Sequence, residues 1–158
     1  MRETFSGCVE EAWIDLNQHM NMGYYLVVFD LATANFYRDL NIGGVCHLES
    51  GQTIFSIESR ICYRKELRLG EAFVIHSQLL GFDHNKVHYL HKMLTADELE
   101  LVAMNECMSI NVDERSRKST PFNEASVAGL RKARFEDEGL EVDPWVGQSL
   151  RQIKWPVE

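Results

Sequence analysis

The chain has 158 residues, of which 45% are hydrophobic and 25% charged, a composition and length that suit one domain with a sizeable core. Its formal net charge of −8 at pH 7 excludes a general nucleic-acid binder, although a local basic patch can still hold a small anionic ligand. Apolar stretches are shorter than the about 20 residues of a membrane span, and we expect neither a membrane partner nor a secretion signal. The cysteines lack CxxC spacing, which indicates reduced thiols and a cytoplasmic protein. They are Cys8, Cys46, Cys62 and Cys107.

A strand, a polar loop and a long helix are predicted for the first forty residues. Residues 5–14 favour a short strand, and residues 15–21 form a loop rich in Asn and Asp. The helix is predicted from about Met22 to Leu40, because apolar residues recur at helical intervals and Asn21 is a suitable N-cap. The first half of this helix is apolar nearly all round, which predicts that it is buried rather than half-exposed.

Four strands and a second helix complete the predicted order. The strands are predicted at 52–67, 72–83, 86–96 and 101–113. Short turns join them, so the sheet should be antiparallel. Residues 123–135 have the pattern of an amphipathic helix, followed by an acidic loop and a tail. The fold class is therefore α+β, with one buried helix against one antiparallel sheet.

The loop sequence Trp-Ile-Asp-Leu-Asn-Gln-His-Met-Asn at 13–21 resembles a known motif. It is similar to the D-x-N-x-H-x-N loop of hotdog-fold acyl-CoA thioesterases in the 4-hydroxybenzoyl-CoA thioesterase-like group, whose order of elements also matches. The stretch at 63–73 strengthens the resemblance. The stretch at 80–93, together with 111–113, is similar to the carnitine-associated betainyl-CoA thioesterases.

The resemblance implies a fold, an activity and an assembly. Residues 1–122 would form a hotdog domain, a long helix wrapped by about five antiparallel strands, and residues 123–158 a helical extension of the same domain. The implied activity is hydrolysis of a short or polar acyl-CoA to the carboxylate and free CoA. Coenzyme A is part of the substrate, and no other cofactor is expected. The implied assembly is a homodimer or a dimer of dimers, with each site between subunits.

The loop residues suit thioester hydrolysis. The leaving thiol has an ordinary pKa of about 8.5, so the reaction needs an activated water or a nucleophile and a stabilised oxyanion, but no strong acid. Asp15 is assigned as general base or nucleophile. Asn17 would orient the water or the carboxylate, and His19 would contact the acyl group or hold the loop. The alternative is that these residues only form a turn and cap the helix, which is the role expected for Asn21.

Two further sets of groups are assigned to substrate binding. Unpaired amides at a helix N-terminus polarise a carbonyl, and here they belong to Met22, Gly23 and Tyr24. The phosphates of CoA require basic residues, for which the candidates are Arg64, Lys65, Lys86, Arg115, Arg117 and Lys118. The alternative for these cations is an ordinary solvated surface.

Several other residues are further site candidates. Asp30, inside the helix, is a second candidate for the catalytic carboxylate. Glu106 lies in the last strand and points either into the core or outwards. His84, His88 and His91 suggest a metal, but His88 and His91 should point to opposite faces of a strand, so no metal is expected.

A betainyl group would also need an aromatic wall. Trp13, Tyr24, Tyr25 and Phe29 offer one, unless they are plain core. Two alternatives to a thioesterase stay open. One is a non-catalytic hotdog module that binds an acyl-CoA or scaffolds a complex. The other is a hotdog dehydratase, which pairs a histidine with a carboxylate across the subunit interface.

Overall fold

The computed structural model describes residues 1–43 and 50–148. The elements are β1 (Arg2–Cys8), a 3₁₀ turn (Glu11–Trp13), α1 (Met22–Asp39), β2 (Gln52–Tyr63), β3 (Ala72–Phe82), β4 (Lys86–Thr95), β5 (Leu101–Asp113) and α2 (Glu124–Glu136). This order of one strand, a helix, four strands and a second helix confirms the order predicted from the sequence. No helix in the two described ranges is long and apolar enough to cross a membrane.

The strands form an antiparallel sheet of five strands in the order β1-β3-β4-β5-β2. β2 does not pair with β3, its successor in the chain, but with β5, where Gln52 lies opposite Asp113 and Tyr63 opposite Ala103. β1 covers the other side of β3. In the described part of the chain, β1 and β2 are therefore the edges of the sheet.

The first predicted strand is misplaced. Residues 5–14 were expected to form it, but β1 ends earlier and Glu11–Trp13 is a 3₁₀ turn. The sheet register ends with Cys8 opposite Ala72, and beyond it Val9 bonds only to the turn before β3. The chain therefore leaves the sheet at Val9.

The second predicted strand is too long. It was expected to reach residue 67, but β2 ends at Tyr63. The amides of Arg64 and Lys65 both donate to the carbonyl of Val102, at 2.8 and 3.1 Å. Two successive amides on one acceptor bend the chain away from the extended path, which sequence alternation does not reveal.

Helix α1 packs one face on the sheet and leaves the other exposed. Its buried side chains include Val28, Phe29 and Phe36. The prediction that its first half is buried all round is wrong. Its exposed apolar face consists of Met22, Leu26, Val27 and Leu31, with Val27 52% exposed.

Helix α2 packs on the carboxyl-terminal half of α1. Leu130 and Ala133 belong to the same buried cluster as Phe36 and Leu40. The two backbones approach closely at Gly129, where an added Cβ would lie 2.2 Å from the carbonyl oxygen of Leu40. Residues of α2 are therefore part of the core.

Beyond α2, residues 143–147 lie against the sheet face that α1 does not cover, and we call them the strap. The Arg60 guanidinium on β2 donates to the carbonyl of Trp145 at 2.9 Å and lies 4.0 Å from its ring centroid. The amide of Gly147 donates to Glu106 Oε1 on β5 at 2.8 Å. The strap thus joins the edge strand to its neighbour; the rest of the predicted tail, residues 149–158, lies outside the described residues.

Candidate active site

The loop between the 3₁₀ turn and α1 is fixed by its own backbone. The Asp15 amide donates to the carbonyl of His19 at 3.1 Å, and the amide of Gln18, which has a φ of +67°, donates to the carbonyl of Asp15 at 3.0 Å. The Met20 amide then donates to the carbonyl of Leu67 at 2.8 Å. The loop is therefore a closed turn anchored to the segment after β2, and it presents Asp15 at a set position.

The Asp15 carboxylate collects the polar groups of this loop. Its Oδ1 accepts a hydrogen bond from the Asn17 backbone amide at 2.8 Å, and its Oδ2 accepts one from Asn21 Nδ2 at 3.3 Å. The Nδ1 atom of His19 lies 4.0 Å from Oδ1. The side chain of Asp15 is half-buried. The structure thus brings Asp15, Asn17 and His19 together, with Asn17 acting on Asp15 through its backbone.

Asn21 links this carboxylate to the helix. Its Oδ1 accepts from the Gly23 amide at 3.0 Å, which is the predicted N-cap, while its Nδ2 donates to Asp15. Sequence reasoning assigned only the first role. The signal available was the residue type, because Asn is the N-cap residue that can also donate to a carboxylate.

The predicted oxyanion donors lie at the start of α1. Met22 is the first helical residue. The Gly23 amide donates to Asn21 Oδ1, and the Tyr24 amide donates to the Asn21 carbonyl at 3.0 Å. Gly23 and Tyr24 therefore already serve the cap in this structure.

A cavity of about 310 Å³ opens beside the helix start. Its lining residues come from the loop, the first turn of α1 and the segment after β2. They are His19, Met20, Met22, Tyr25, Tyr63, Arg64, Lys65 and Glu66. Two of the predicted CoA-binding cations, Arg64 and Lys65, thus share a cavity with His19. Lys65 is also ion-paired with Glu100.

Two tyrosines form one corner of the cavity. The rings of Tyr25 and Tyr63 meet edge to face, with centroids 5.2 Å apart and an interplanar angle of 83°. Tyr63 donates its hydroxyl proton to the carbonyl of Met22 at 3.2 Å, and the hydroxyl oxygen of Tyr25 accepts from the Leu67 amide at 3.2 Å. Burial raises the pKa of both phenols above the ordinary value, so both rings stay neutral near pH 7. Sequence reasoning missed Tyr63, which only the fold brings to the helix start.

Of the other predicted aromatic wall residues, Phe29 is core, whereas Trp13 and Tyr24 are partly buried and pack against the core. Trp13 stacks on Tyr24 with centroids 5.9 Å apart, and Phe29 is fully buried beneath α1. Of the four aromatic residues considered from the sequence, Tyr25 is the one that lines this cavity.

The remaining basic candidates lie at the other end of β2. Asp113, which precedes the turn with Arg115, Arg117 and Lys118, pairs with Gln52 at the start of β2. Lys86 pairs with Asp83 at 3.5 Å, and Arg117 lies 4.6 Å from the ring centroid of Phe55. A strand of this length spans about 36 Å, so one chain does not gather all six cations around one ligand.

The two other candidate carboxylates differ in their surroundings. Asp30 is exposed on α1, between the exposed apolar residues Val27 and Leu31. Glu106 is fully buried and points away from α1, where its Oε1 accepts from His88 Nε2 at 2.8 Å and from the strap. Its Oε2 has no hydrogen-bond partner among the described residues.

His91 is a core residue. Its Nε2 lies 2.9 Å from Thr33 Oγ1 and its Nδ1 2.6 Å from Ser77 Oγ, and burial lowers its pKa to about 3. His88 points to the opposite face, as strand alternation predicts. Within residues 1–43 and 50–148 no group of three or more His, Cys, Asp or Glu side chains is placed to hold a metal ion.

Comparison with known proteins fits this geometry. The profile of the thioesterase-like superfamily matches residues 9–133. The chain belongs to this superfamily. The match covers the loop, α1, all of β2 to β5 and most of α2, so the predicted hotdog-fold thioesterase is confirmed in fold and class.

Relatives within the superfamily include proteins named for one substrate. The chain is 26% identical over 147 residues to a betainyl-CoA thioesterase of Pseudomonas aeruginosa, covering 93% of this chain and 92% of that protein. It is 28% identical to an L-carnitine dehydrogenase/betainyl-CoA thioesterase of Rhizobium meliloti, covering 91% of this chain but 29% of that longer protein.

Solved structures of other proteins have the same fold. A hypothetical protein of Staphylococcus aureus in complex with CoA matches with a TM-score of 0.85 and 20% identity, covering 98% of this chain and 96% of that one. A putative thioesterase from Pseudomonas putida matches with a TM-score of 0.79 and 29% identity, covering 99% and 97%.

Proposed function

We propose that this chain hydrolyses the thioester of a short or polar acyl-CoA, giving the carboxylate and free CoA. The observation that carries the proposal is the Asp15 carboxylate held by Asn21, the residue that also caps α1. One side chain thereby couples the reacting carboxylate to the positive end of the helix. Related proteins named as thioesterases, and a similar structure that contains CoA, support the same assignment.

The reaction needs only groups of this loop and helix. Asp15 takes a proton from a water whose oxygen attacks the thioester carbonyl carbon, or it attacks that carbon itself and water then cleaves the anhydride. Amides at the start of α1, with Met22 first, stabilise the negative charge on the carbonyl oxygen. The charge returns to the carbon, the C–S bond breaks, and CoA leaves as a thiolate that takes up a proton. His19, on the cavity wall, faces the acyl group.

Betainyl-CoA is the proposed substrate. The cavity of about 310 Å³ is small, because ligand pockets range from about 300 to 1,000 Å³. Such a volume suits a short acyl group better than a long chain. The relatives that carry the name betainyl-CoA thioesterase point to the same group.

A homodimer is proposed because the isolated chain leaves two surfaces incomplete. β2 is an edge strand of the sheet, and none of its twelve residues, all of which are described, is buried. The exposed apolar face of α1, which includes Val27 and Leu31, is likewise not covered by the described residues of the chain. An open strand edge and an apolar patch are both features that a second copy would cover.

The proposed dimer would also bring together the basic residues that lie at opposite ends of β2 in one chain. A strand that pairs with its own copy about a twofold axis must run antiparallel to it. The Gln52 end of one β2 then lies near the Tyr63 end of the other. The cations after β5 of the second subunit would approach the cavity that holds Arg64 and Lys65, so the CoA phosphates would bind between subunits, in a dimer or a dimer of dimers.

The cytoplasm is the proposed location. Cys8, Cys62 and Cys107 have free thiols, which suits a reducing compartment, while Cys46 lies outside the described residues. No cofactor besides the CoA of the substrate enters the proposed reaction.

The first test is thiol release from a panel of acyl-CoAs, from acetyl and betainyl through aromatic groups to palmitoyl. We expect Asp15→Asn to lower kcat/KM by about 100-fold or more while its melting temperature stays near that of the wild type. Asp30→Asn is the matched control and should keep its activity. Loss of activity in Asp30→Asn with activity kept in Asp15→Asn would instead assign the reacting carboxylate to Asp30 on α1.

Two outcomes would replace the proposal by its alternatives. A folded protein that binds acyl-CoA but turns none over would be the non-catalytic module. Loss of water from a 3-hydroxyacyl-CoA, without thiol release, would make it a dehydratase.

A further inference from the structure

The corner of the cavity formed by Tyr25 and Tyr63 is rigid before any ligand binds. Each phenol is held by a backbone group, Tyr63 by the carbonyl of Met22 and Tyr25 by the amide of Leu67. The rings also brace one another edge to face. A site held in this way loses little conformational freedom on binding, so its selectivity depends on the chemistry of its walls.

The walls of this corner attract a cation that has no hydrogens to donate. Both phenols are neutral near pH 7, since their ordinary pKa of about 10 already lies well above it and burial raises it further, and the faces of neutral aromatic rings attract cations. The thioethers of Met20 and Met22 add polarisable apolar surface. A trimethylammonium group, which presents methyl groups and a diffuse positive charge, matches such walls better than a primary ammonium would.

The formal charges on the wall are largely balanced by neighbours outside it. Lys65 is ion-paired with Glu100. Glu66 is paired with Arg68, with Arg68 Nη2 at 2.7 Å from Glu66 Oε1. The side chain of Arg64 is the other charged group contributed by this segment to the cavity wall. The aromatic faces are left as the feature that distinguishes one acyl group from another.

The corner also lies beside the proposed reaction site. Tyr63 bonds to Met22, the first residue of the helix whose amides are proposed to hold the thioester oxygen. In a betainyl group the nitrogen is two bonds from the carbonyl carbon, about 2.5 Å away. Only a site beside the helix start can therefore contact the charge of so short an acyl group.

We infer that the Tyr25–Tyr63 corner is the acyl subsite and that it selects a quaternary ammonium acyl group over a neutral group of the same shape. The inference rests on the proposed thioesterase function. Tyr63, whose side chain remains 43% exposed in the isolated chain, is the specificity-determining residue that a bound acyl group would cover.

The test compares betainyl-CoA with 3,3-dimethylbutyryl-CoA, in which carbon replaces the ammonium nitrogen and the shape is kept. We expect the wild type to prefer betainyl-CoA in kcat/KM by about tenfold or more beyond the ratio of the two uncatalysed hydrolysis rates, because the ammonium group also activates the thioester carbonyl by induction. Tyr63→Leu should lower kcat/KM for betainyl-CoA about tenfold more than for the neutral analogue, because only the betainyl group loses a cation–π contact. Tyr63→Phe, which keeps the ring, should retain most of the preference.

Melting temperatures of both variants separate a lost contact from lost folding. A preference that Tyr63→Leu leaves unchanged in a folded protein, or a wild type that favours the neutral analogue, would overturn the subsite while leaving the thioesterase function intact. No hydrolysis of either thioester, or of any other acyl-CoA of the panel, would overturn the proposed function and the subsite together.

Discussion

At the scale of single residues, Asn21 has two roles that substitutions can separate. It caps α1 through Oδ1 and holds Asp15 through Nδ2. Asn21→Asp should preserve the cap, because Asp caps helices as well as Asn does, but it places a second carboxylate beside Asp15. We expect a melting temperature near that of the wild type and a kcat/KM reduced by about tenfold or more, measured by thiol release.

Asn21→Ala is the companion variant. It removes both contacts and should cost about 1 kcal/mol of stability in addition to activity. Full activity in Asn21→Asp would show that Nδ2 does not position Asp15. In that case the link between the carboxylate and the helix start would be only structural.

His91 predicts a dependence of stability on pH. Its pKa in the folded protein is about 3, below the ordinary value of 6.5, so between these pH values the unfolded chain binds a proton that the folded chain does not. The free energy of unfolding therefore falls as the pH is lowered, and His91 accounts for a loss of about 2 kcal/mol at pH 5.

Urea unfolding at pH 7 and pH 5 measures this loss. His91→Gln should be less stable than the wild type at pH 7, because it disturbs two buried hydrogen bonds, but it should lose about 2 kcal/mol less on acidification. His84→Gln, at an exposed histidine, should behave like the wild type. An unchanged pH dependence in His91→Gln would mean that other groups cause it.

The sequence located the loop because its residue types follow one another within nine positions. Asp15, Asn17 and His19 are neighbours in the chain, so their proximity needed no knowledge of the fold. Tyr63 reaches the same site from a distant strand. The position of Tyr63 at this site depends on the pairing of β2 with β5, which no local sequence pattern specifies.

At the scale of elements, the strap stabilises the edge strand from its outer side. Arg60 bonds to the carbonyl of Trp145 and stacks on its ring. Arg60→Met keeps the length of the side chain and removes both contacts, so we expect a loss of about 1–2 kcal/mol in urea unfolding. Arg68→Met is the control, because its ion pair with Glu66 is exposed and its loss should hardly change the free energy of unfolding. Equal losses in the two variants would contradict a docked strap.

The order and type of the helices and strands were predicted more accurately than where they end or how deeply they are buried. The positions of α1, α2 and β5 follow from periodicity, and the start of α1 also follows from its cap Asn21. The end of β2 depends on the Val102 carbonyl, which accepts from two amides of a distant segment. The apolar residues around α1 predicted a helix buried on all sides. The sheet covers only one face of this helix, and its other apolar face is exposed among the described residues.

At the scale of the whole molecule, the proposed dimer makes activity depend on a surface remote from Asp15. Val27, on the exposed apolar face of α1, should lie in the subunit interface. We expect Val27→Glu to shift the protein from dimer to monomer in sedimentation and to lower kcat/KM by about tenfold or more, because a buried unpaired carboxylate is costly.

Phe135→Glu is the matched control. Phe135 is a 77% exposed apolar residue on α2, and its replacement should change neither the sedimentation nor the activity. A wild type that sediments as an active monomer would contradict the interface on α1 and β2.

The contact between α2 and the end of α1 limits how this chain can be cut or recombined. Any side chain at position 129 would collide with the carbonyl of Leu40, so a chimaera that borrows its last helix from a relative needs glycine there or a shifted helix. A chain shortened to Phe122 would uncover Leu40 and its neighbours and would lose the strap. The transferable unit of this protein therefore extends at least to Gly147, well past the last strand of the sheet.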